Sequence, residues 1–151
     1  MDTAAAQQIA LELIRHFEGL RLRPYLCSAG VPTIGYGSTR YEDGTRVQLT
    51  DPAITRERAE ALLRWTLVHE YLPAVVRLCP GVDTPERLAA LVDFAYNLGV
   101  GRLAASTLRK RVNAGRWADV PAELAKWVKG GGRVLAGLVK RRQAEALLIQ
   151  S

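Results

Sequence analysis

Glu18 closes a run in which Ile9, Leu13 and Phe17, with Ala10 and Ile14 beside them, recur at helical spacing. Residues 5–18 therefore read as an amphipathic helix, which Gly19 stops. Lying four residues after Ile14 and seven after Leu11, the glutamate shares a stripe with apolar side chains. A carboxyl so placed is partly desolvated, which favours the protonated form from which a general acid donates. A lone glutamate at a helix end is more often simply solvated, so the next segment matters. Cys27 and Thr33 flank Ser28-Ala29-Gly30-Val31-Pro32, and if that segment is a hairpin loop, its strands bring a thiol and a hydroxyl together beyond the end of the first helix. Taken alone, cysteine is commonly a small buried hydrophobe and threonine a common strand residue.

The elements that must position these groups follow from texture. From Arg23 to about Val47 the chain is rich in glycine, threonine and tyrosine, and Ser28-Ala29-Gly30 and Glu42-Asp43-Gly44 punctuate it. That predicts a small antiparallel sheet with two tight turns. Thr50 or Asp51 is a good N-cap with Pro52 at the first helical position, predicting a connecting helix over about 52–76. Beyond Cys79-Pro80-Gly81 helical spacing dominates, over residues 85–98, 106–113, 117–127 and 135–149, with Gly99-Val100-Gly101, Gly115 and Gly130-Gly131-Gly132 as separators. Strands gathered in one region and helices in another argue for an α+β fold. The expected layout is one domain over 1–151: a lobe with helix and sheet over about 12–52, the connecting helix, and a helical lobe over about 77–151 packed with residues 1–11.

Composition narrows the function classes. At 151 residues, 48% hydrophobic and 24% charged, the chain is an ordinary globule, neither disordered nor collagenous. No apolar run approaches the roughly 18–20 residues of a bilayer crossing, and Met1-Asp2-Thr3-Ala4 lacks the basic and apolar regions of a secretory signal. Cys27 and Cys79, without clustered histidine, offer no zinc spacing and no disulfide framework, so neither metal nor cofactor is expected and the thiols read as reduced. Charge is uneven: residues 1–76 carry 8 Lys+Arg against 9 Asp+Glu, and residues 77–151 carry 13 against 6. The second half should seek an anion, which nucleic acid and an anionic cell wall both supply.

The run Glu18-Gly19-Leu20-Arg21-Leu22-Arg23-Pro24-Tyr25-Leu26-Cys27, followed by Gly30-Val31-Pro32-Thr33-Ile34-Gly35-Tyr36-Gly37, closely resembles the active-site stretch of phage T4-type lysozymes, the endolysins of glycoside hydrolase family 24. Their pattern is Glu, eight residues, Asp or Cys, five residues, Thr. Phe94-Ala95-Tyr96-Asn97-Leu98-Gly99, Ser106-Thr107-Leu108 and the stretch from Gly131 to Glu145 are similar to the helical half of the same family. The resemblance implies a lysozyme-like fold and cleavage of the β-1,4 bond between N-acetylmuramic acid and N-acetylglucosamine in peptidoglycan, within a cleft. Glu18 would protonate the glycosidic oxygen, and Cys27 and Thr33 would hold the attacking water, giving inversion.

Cys27 replaces the family's aspartate, and a thiol is a weaker acceptor, so Thr33 carries more of the water positioning or Cys27 works as thiolate. Substrate contacts are implied for Tyr36, Ser38, Asn97, Ser106 and Thr107. Ser38 stands where relatives often have histidine, Asn97 is equally a helix-terminal residue before Gly99, and Ser106 or Thr107 reads also as an N-cap. Trp65, Trp117 and Trp127 are sugar platforms or, for the latter two, core. Lys140-Arg141-Arg142 reads as a solvated face able to capture an anionic wall weakly. The expected protein is a monomer acting on peptidoglycan, with no nucleic acid and no stable membrane insertion. Without an N-terminal signal-anchor extension it would wait in the host cytoplasm for a holin lesion. The competing activities are a lytic transglycosylase, giving 1,6-anhydro products, and a non-catalytic basic module that binds the wall.

Overall fold

The Asp2 carboxylate accepts the N–H of Ala5 at 3.0 Å and so caps the first helix, α1 (Thr3–Glu18), which starts two residues before the apolar repeat does. Gly19, at φ +71°, ends it. The computed structural model describes residues 1–151 and divides into two compact units, one of residues 11–70 and one of residues 1–10 and 71–151. No helix is long and apolar enough to cross a membrane.

In the unit of residues 11–70, β1 (Arg21–Leu26) pairs antiparallel with β2 (Pro32–Gly35), in register Tyr25↔Thr33 and Leu26↔Pro32. The expected second turn contributes only isolated bridges, Ile34↔Ser38 and Arg40↔Arg46, so the sheet has two strands. Ile34, Val47 and Leu62 form the buried core here, with Tyr41 and Ile54 against it. Gly35 lies at φ +67°, and a Cβ there would sit 3.3 Å from the Ala59 Cβ, so glycine permits both the bend and the close approach of β2 to the next helix.

That helix, α2 (Arg56–Thr66), begins later than the sequence predicts, because Thr55 and neither Thr50 nor Asp51 is the cap, accepting from the Arg58 N–H. The Asp51 carboxylate is engaged elsewhere, by the Tyr41 hydroxyl at 2.8 Å and the Gln48 N–H at 2.9 Å. Nor does one regular helix continue to Val76. A widened turn, Leu67–Tyr71, precedes α3 (Leu72–Leu78). Pro73, at the start of α3, has no N–H to donate to residue 69, and the ladder slips just ahead of it.

The other unit is organised by α4 (Pro85–Leu98), where Thr84 caps the start, Pro85 takes the first turn and every residue from Leu88 to Ala95 is buried. Its stop at Gly99 coincides with φ +104°. Two glycine separators prove structured: Val100–Ala105 forms α5, and Gly131 and Gly132 turn a small hairpin between β3 (Lys129–Gly130) and β4 (Arg133–Val134). Ser106 caps α6 (Thr107–Asn113). Pro121 divides the predicted 117–127 helix into a tight turn at Trp117–Asp119 and α7 (Val120–Leu124). The chain closes with α8 (Ala136–Ile149), packed against α4 and α7.

The Lys140-Arg141-Arg142 run is not a solvated face. Only Lys140 is exposed, while Arg141 and Arg142 are 4% and 2% exposed. Arg141 grips the buried Asp93 carboxylate through Nε and Nη2 at 2.9 and 2.8 Å. Arg142 donates through Nη2 to Glu145 at 2.9 Å and to the Asn97 Oδ1 at 2.8 Å. Helical period puts these arginines on the inner side of α8, and acids that face them neutralise them there.

Candidate active site

Glu18 is half-buried at the last position of α1, and only Gly19 and Leu20 separate it from β1. The hairpin that follows is closed by hydrogen bonds from the Cys27 N–H to Val31 O (3.1 Å) and from the Gly30 N–H to Cys27 O (2.8 Å), with Gly30 at φ +76°. This tight return sets Cys27 beside Thr33, as the spacing predicts. Thr33 is 2% exposed and its hydroxyl donates to Val31 O at 2.8 Å.

Electrostatics set the state of that sulfur. Hydrogen bonds from the Val31 and Ala29 N–H groups, supplemented by Thr33, hold the Cys27 thiol below its ordinary value. Donors that converge on a sulfur favour thiolate. Cys79 is the contrast: burial pushes its thiol up to about 11, and the two cysteines are free. Tyr25, a position the residue reading passed over, also belongs to this group. Its phenol is pushed up first by burial and then by the Glu18 carboxylate, with Cys27 adding to the effect. Arg21 lies 4.7 Å above its ring. The register Tyr25↔Thr33 is the signal that could have found it.

Tyr36 and Ser38 lie in the same unit and are 4% and 6% exposed. Ser38 exchanges backbone hydrogen bonds with Ile34 at 2.8 and 2.9 Å, while its buried hydroxyl has no protein partner. Asn97, Ser106 and Thr107 belong to the other unit. The Asn97 amide oxygen is engaged by Arg142. Ser106 accepts from the Arg109 N–H at 3.0 Å and donates to Leu103 O at 2.7 Å, so its hydroxyl serves the cap. Thr107 is exposed at the start of α6. Of the tryptophans, Trp65 stacks on His69 with ring centroids 4.5 Å apart, Trp117 lies under Arg87, and Trp127 meets Phe94 edge-on.

The family model for phage lysozyme matches residues 15–145. The chain is 42% identical over 146 residues to the endolysin of Bacillus phage B103, covering 93% of this chain and 52% of that one. It therefore spans about half the length of that relative. It is 38% identical over 146 residues to the endolysin of Acyrthosiphon pisum secondary endosymbiont phage 1, covering 93% of this chain and 94% of that one. Among solved structures, the endolysin from Escherichia coli O157:H7 phage FAHEc1 superposes with a TM-score of 0.83 at 35% identity, over 94% of this chain and 90% of that one. The match across the helix–hairpin stretch and the helical unit together places this chain in the phage lysozyme family, with the lysozyme-like α+β fold of phage endolysins.

Proposed function

We propose that the chain is a muramidase of the endolysin type, hydrolysing the β-1,4 bond between N-acetylmuramic acid and N-acetylglucosamine in peptidoglycan. Glu18 donates a proton to the glycosidic oxygen of the departing sugar as its bond to the anomeric carbon breaks, and the ring that keeps that carbon takes on oxocarbenium character. Thr33 and Cys27 hold the water that attacks the opposite face, which gives inversion. The observation that supports this assignment most is the tight hairpin that carries Cys27 and Thr33 on either side of its loop, directly after the α1 terminus that bears Glu18. The donors that lower the Cys27 thiol make its sulfur a better acceptor of a hydrogen bond from water, the part a carboxylate plays in the aspartate form. Tyr25 and Tyr36 lie in the same unit as Glu18 and are proposed to bound the sugar site. The protein acts as a monomer at the cell wall, reached from the cytoplasm through a holin lesion unless an N-terminal signal-anchor precedes the sequence.

Digestion of purified peptidoglycan tests the assignment. Wild type should give products with a free reducing end, one water heavier than 1,6-anhydro products. Folded Glu18→Gln should be slower by about 10²–10⁴-fold, the range of general acid catalysis. Anhydro products would assign a transglycosylase instead, and near-normal digestion by Glu18→Gln would remove Glu18 from the chemistry.

A further inference from the structure

The cationic character of this protein resides in one unit, where Lys129, Arg133 and Lys140 are exposed on the β3–β4 hairpin and α8 and five further bases share one group of helices. Residues 11–70 carry equal numbers of acids and bases, 8 of each, whereas residues 1–10 and 71–151 carry 13 bases against 7 acids. Arg141 and Arg142 add nothing to the surface, since they are buried against Asp93 and Glu145. The excess lies elsewhere. Residues 71–82 and 94–118 contain Arg77, Arg102, Arg109, Lys110, Arg111 and Arg116, and not one Asp or Glu. Arg116 pairs with Asp119; the other five lie on α3, α5 and α6.

Arg109 joins those three helices. Its Nε donates to Leu78 O, at the end of α3, at 2.8 Å, and its Nη1 donates to Ala104 O, in α5, at 3.2 Å. From the same helix the Asn113 amide donates to Leu78 O at 2.9 Å. Arg109 is thus used structurally, and it sets Arg77, Arg102, Lys110 and Arg111 on adjoining elements. Arg77, Arg102 and Lys110 are exposed.

We propose that the α3–α5–α6 surface is a second binding site, which captures a polymer with a phosphodiester backbone attached to peptidoglycan. This rests on the wall-directed activity proposed above. Guanidinium groups match phosphate oxygens in pairs, and four of the five bases here are arginine. Helices α3, α5 and α6 carry no carboxylate of their own, so contacts with a polyanion add along their length. Single-stranded nucleic acid fits less well, because the exposed residues of these helices include no aromatic ring on which a base could stack. Capture holds the enzyme near its substrate and raises the effective concentration of the glycan at the active site.

The test uses Glu18→Gln protein, which leaves walls undigested, with and without Arg77→Gln, Arg102→Gln and Lys110→Gln together. Binding is measured to walls that carry the polymer and to the same walls stripped of phosphodiesters by hydrofluoric acid. The unsubstituted surface should bind intact walls about 10- to 100-fold more tightly than the triple variant, less so in high salt, with both weak on stripped walls. With Glu18 restored, the triple variant should hydrolyse short soluble glycans at the wild-type rate and keep the wild-type Tm. Equal binding to stripped and intact walls, or undiminished binding by the triple variant, overturns the proposal. So does displacement from walls by duplex DNA at lower phosphate concentration than by the purified polymer, which would reassign the surface to nucleic acid. Loss of soluble-glycan hydrolysis in every form would instead refute the muramidase assignment and leave the binding result standing.

Discussion

Replacing Arg142 by methionine takes one cation out of a sealed cluster. Its guanidinium is 2% exposed, lies 2.7 Å from Glu145 through Nε, and donates to Glu145, Asn97 and the Trp127 carbonyl at 2.9, 2.8 and 3.3 Å. Burial, and after it the Asp93 carboxyl, push Glu145 well above the ordinary carboxylate range, and Arg142 is the group that opposes them. Without it Glu145 must take a proton in the folded state or remain a buried charge. Breaking a buried ion pair from one side costs about 3–5 kcal/mol, which for a chain of this size lowers Tm by about 6–20 °C.

The sign of the pH effect follows from the same cluster. A folded-state value raised further above the unfolded one stabilises the fold fully only below the ordinary value of 4.5, and that stability is lost as pH rises through the folded value. The gap between variant and wild type should therefore be smallest in acid and widen toward neutrality. Substituting Glu145→Met as well removes both charges, and the double variant should be more stable than Arg142→Met alone. Thermal unfolding of the three proteins across pH measures all of this. A loss within about 0.5 kcal/mol, the range of ordinary surface substitutions, or strict additivity of the two changes would refute the buried-pair argument.

Three further outcomes are expected. Thr55→Ala should cost about 1 kcal/mol of stability by removing the α2 cap, seen in chemical denaturation, whereas Thr50→Ala should change nothing measurable. Gly35→Ala should be destabilising by at least about 1–2 kcal/mol, since φ +67° is strained for alanine and the Ala59 Cβ is 3.3 Å away. In a pH profile of alkylation, Cys27 should react with a midpoint below the ordinary 9.0, because thiolate forms at lower pH there, and Thr33→Val should move the midpoint up. Cys79, buried and raised to about 11, should remain inert; a Cys27 midpoint at or above the ordinary value would show that the hairpin donors do not act on the sulfur.

What the sequence made legible, and what it hid, divides by range. Helix α4 could be read to the residue because Thr84, Pro85 and Gly99 are local signals that agree. The hairpin that carries Cys27 and Thr33 was legible for the same reason, since a five-residue loop with a left-handed Gly30 leaves the flanking residues little choice. The α2 start was misplaced because Thr50, Asp51 and Thr55 are equally good caps by type. The choice is made by Tyr41, ten residues before Asp51, which takes its carboxylate. The burial of Arg141 depends on Asp93, 48 residues away, and no local pattern shows a basic run that it is about to be neutralised. Pro73 and Pro121 did mark the breaks near Leu67–Tyr71 and before α7; apolar periodicity running past them concealed their effect.

The central claim is that Glu18, as proton donor to the leaving oxygen, and a water held by Thr33 and Cys27 act on opposite faces of one sugar. It is tested most directly by the configuration of the newly formed reducing end, followed by proton NMR before mutarotation. Hydrolysis of the β-1,4 bond should release the α-anomer first, and the signal should be lost in Glu18→Gln. Initial release of the β-anomer would contradict the account, since retention requires a covalent or substrate-assisted intermediate that water held opposite Glu18 does not form.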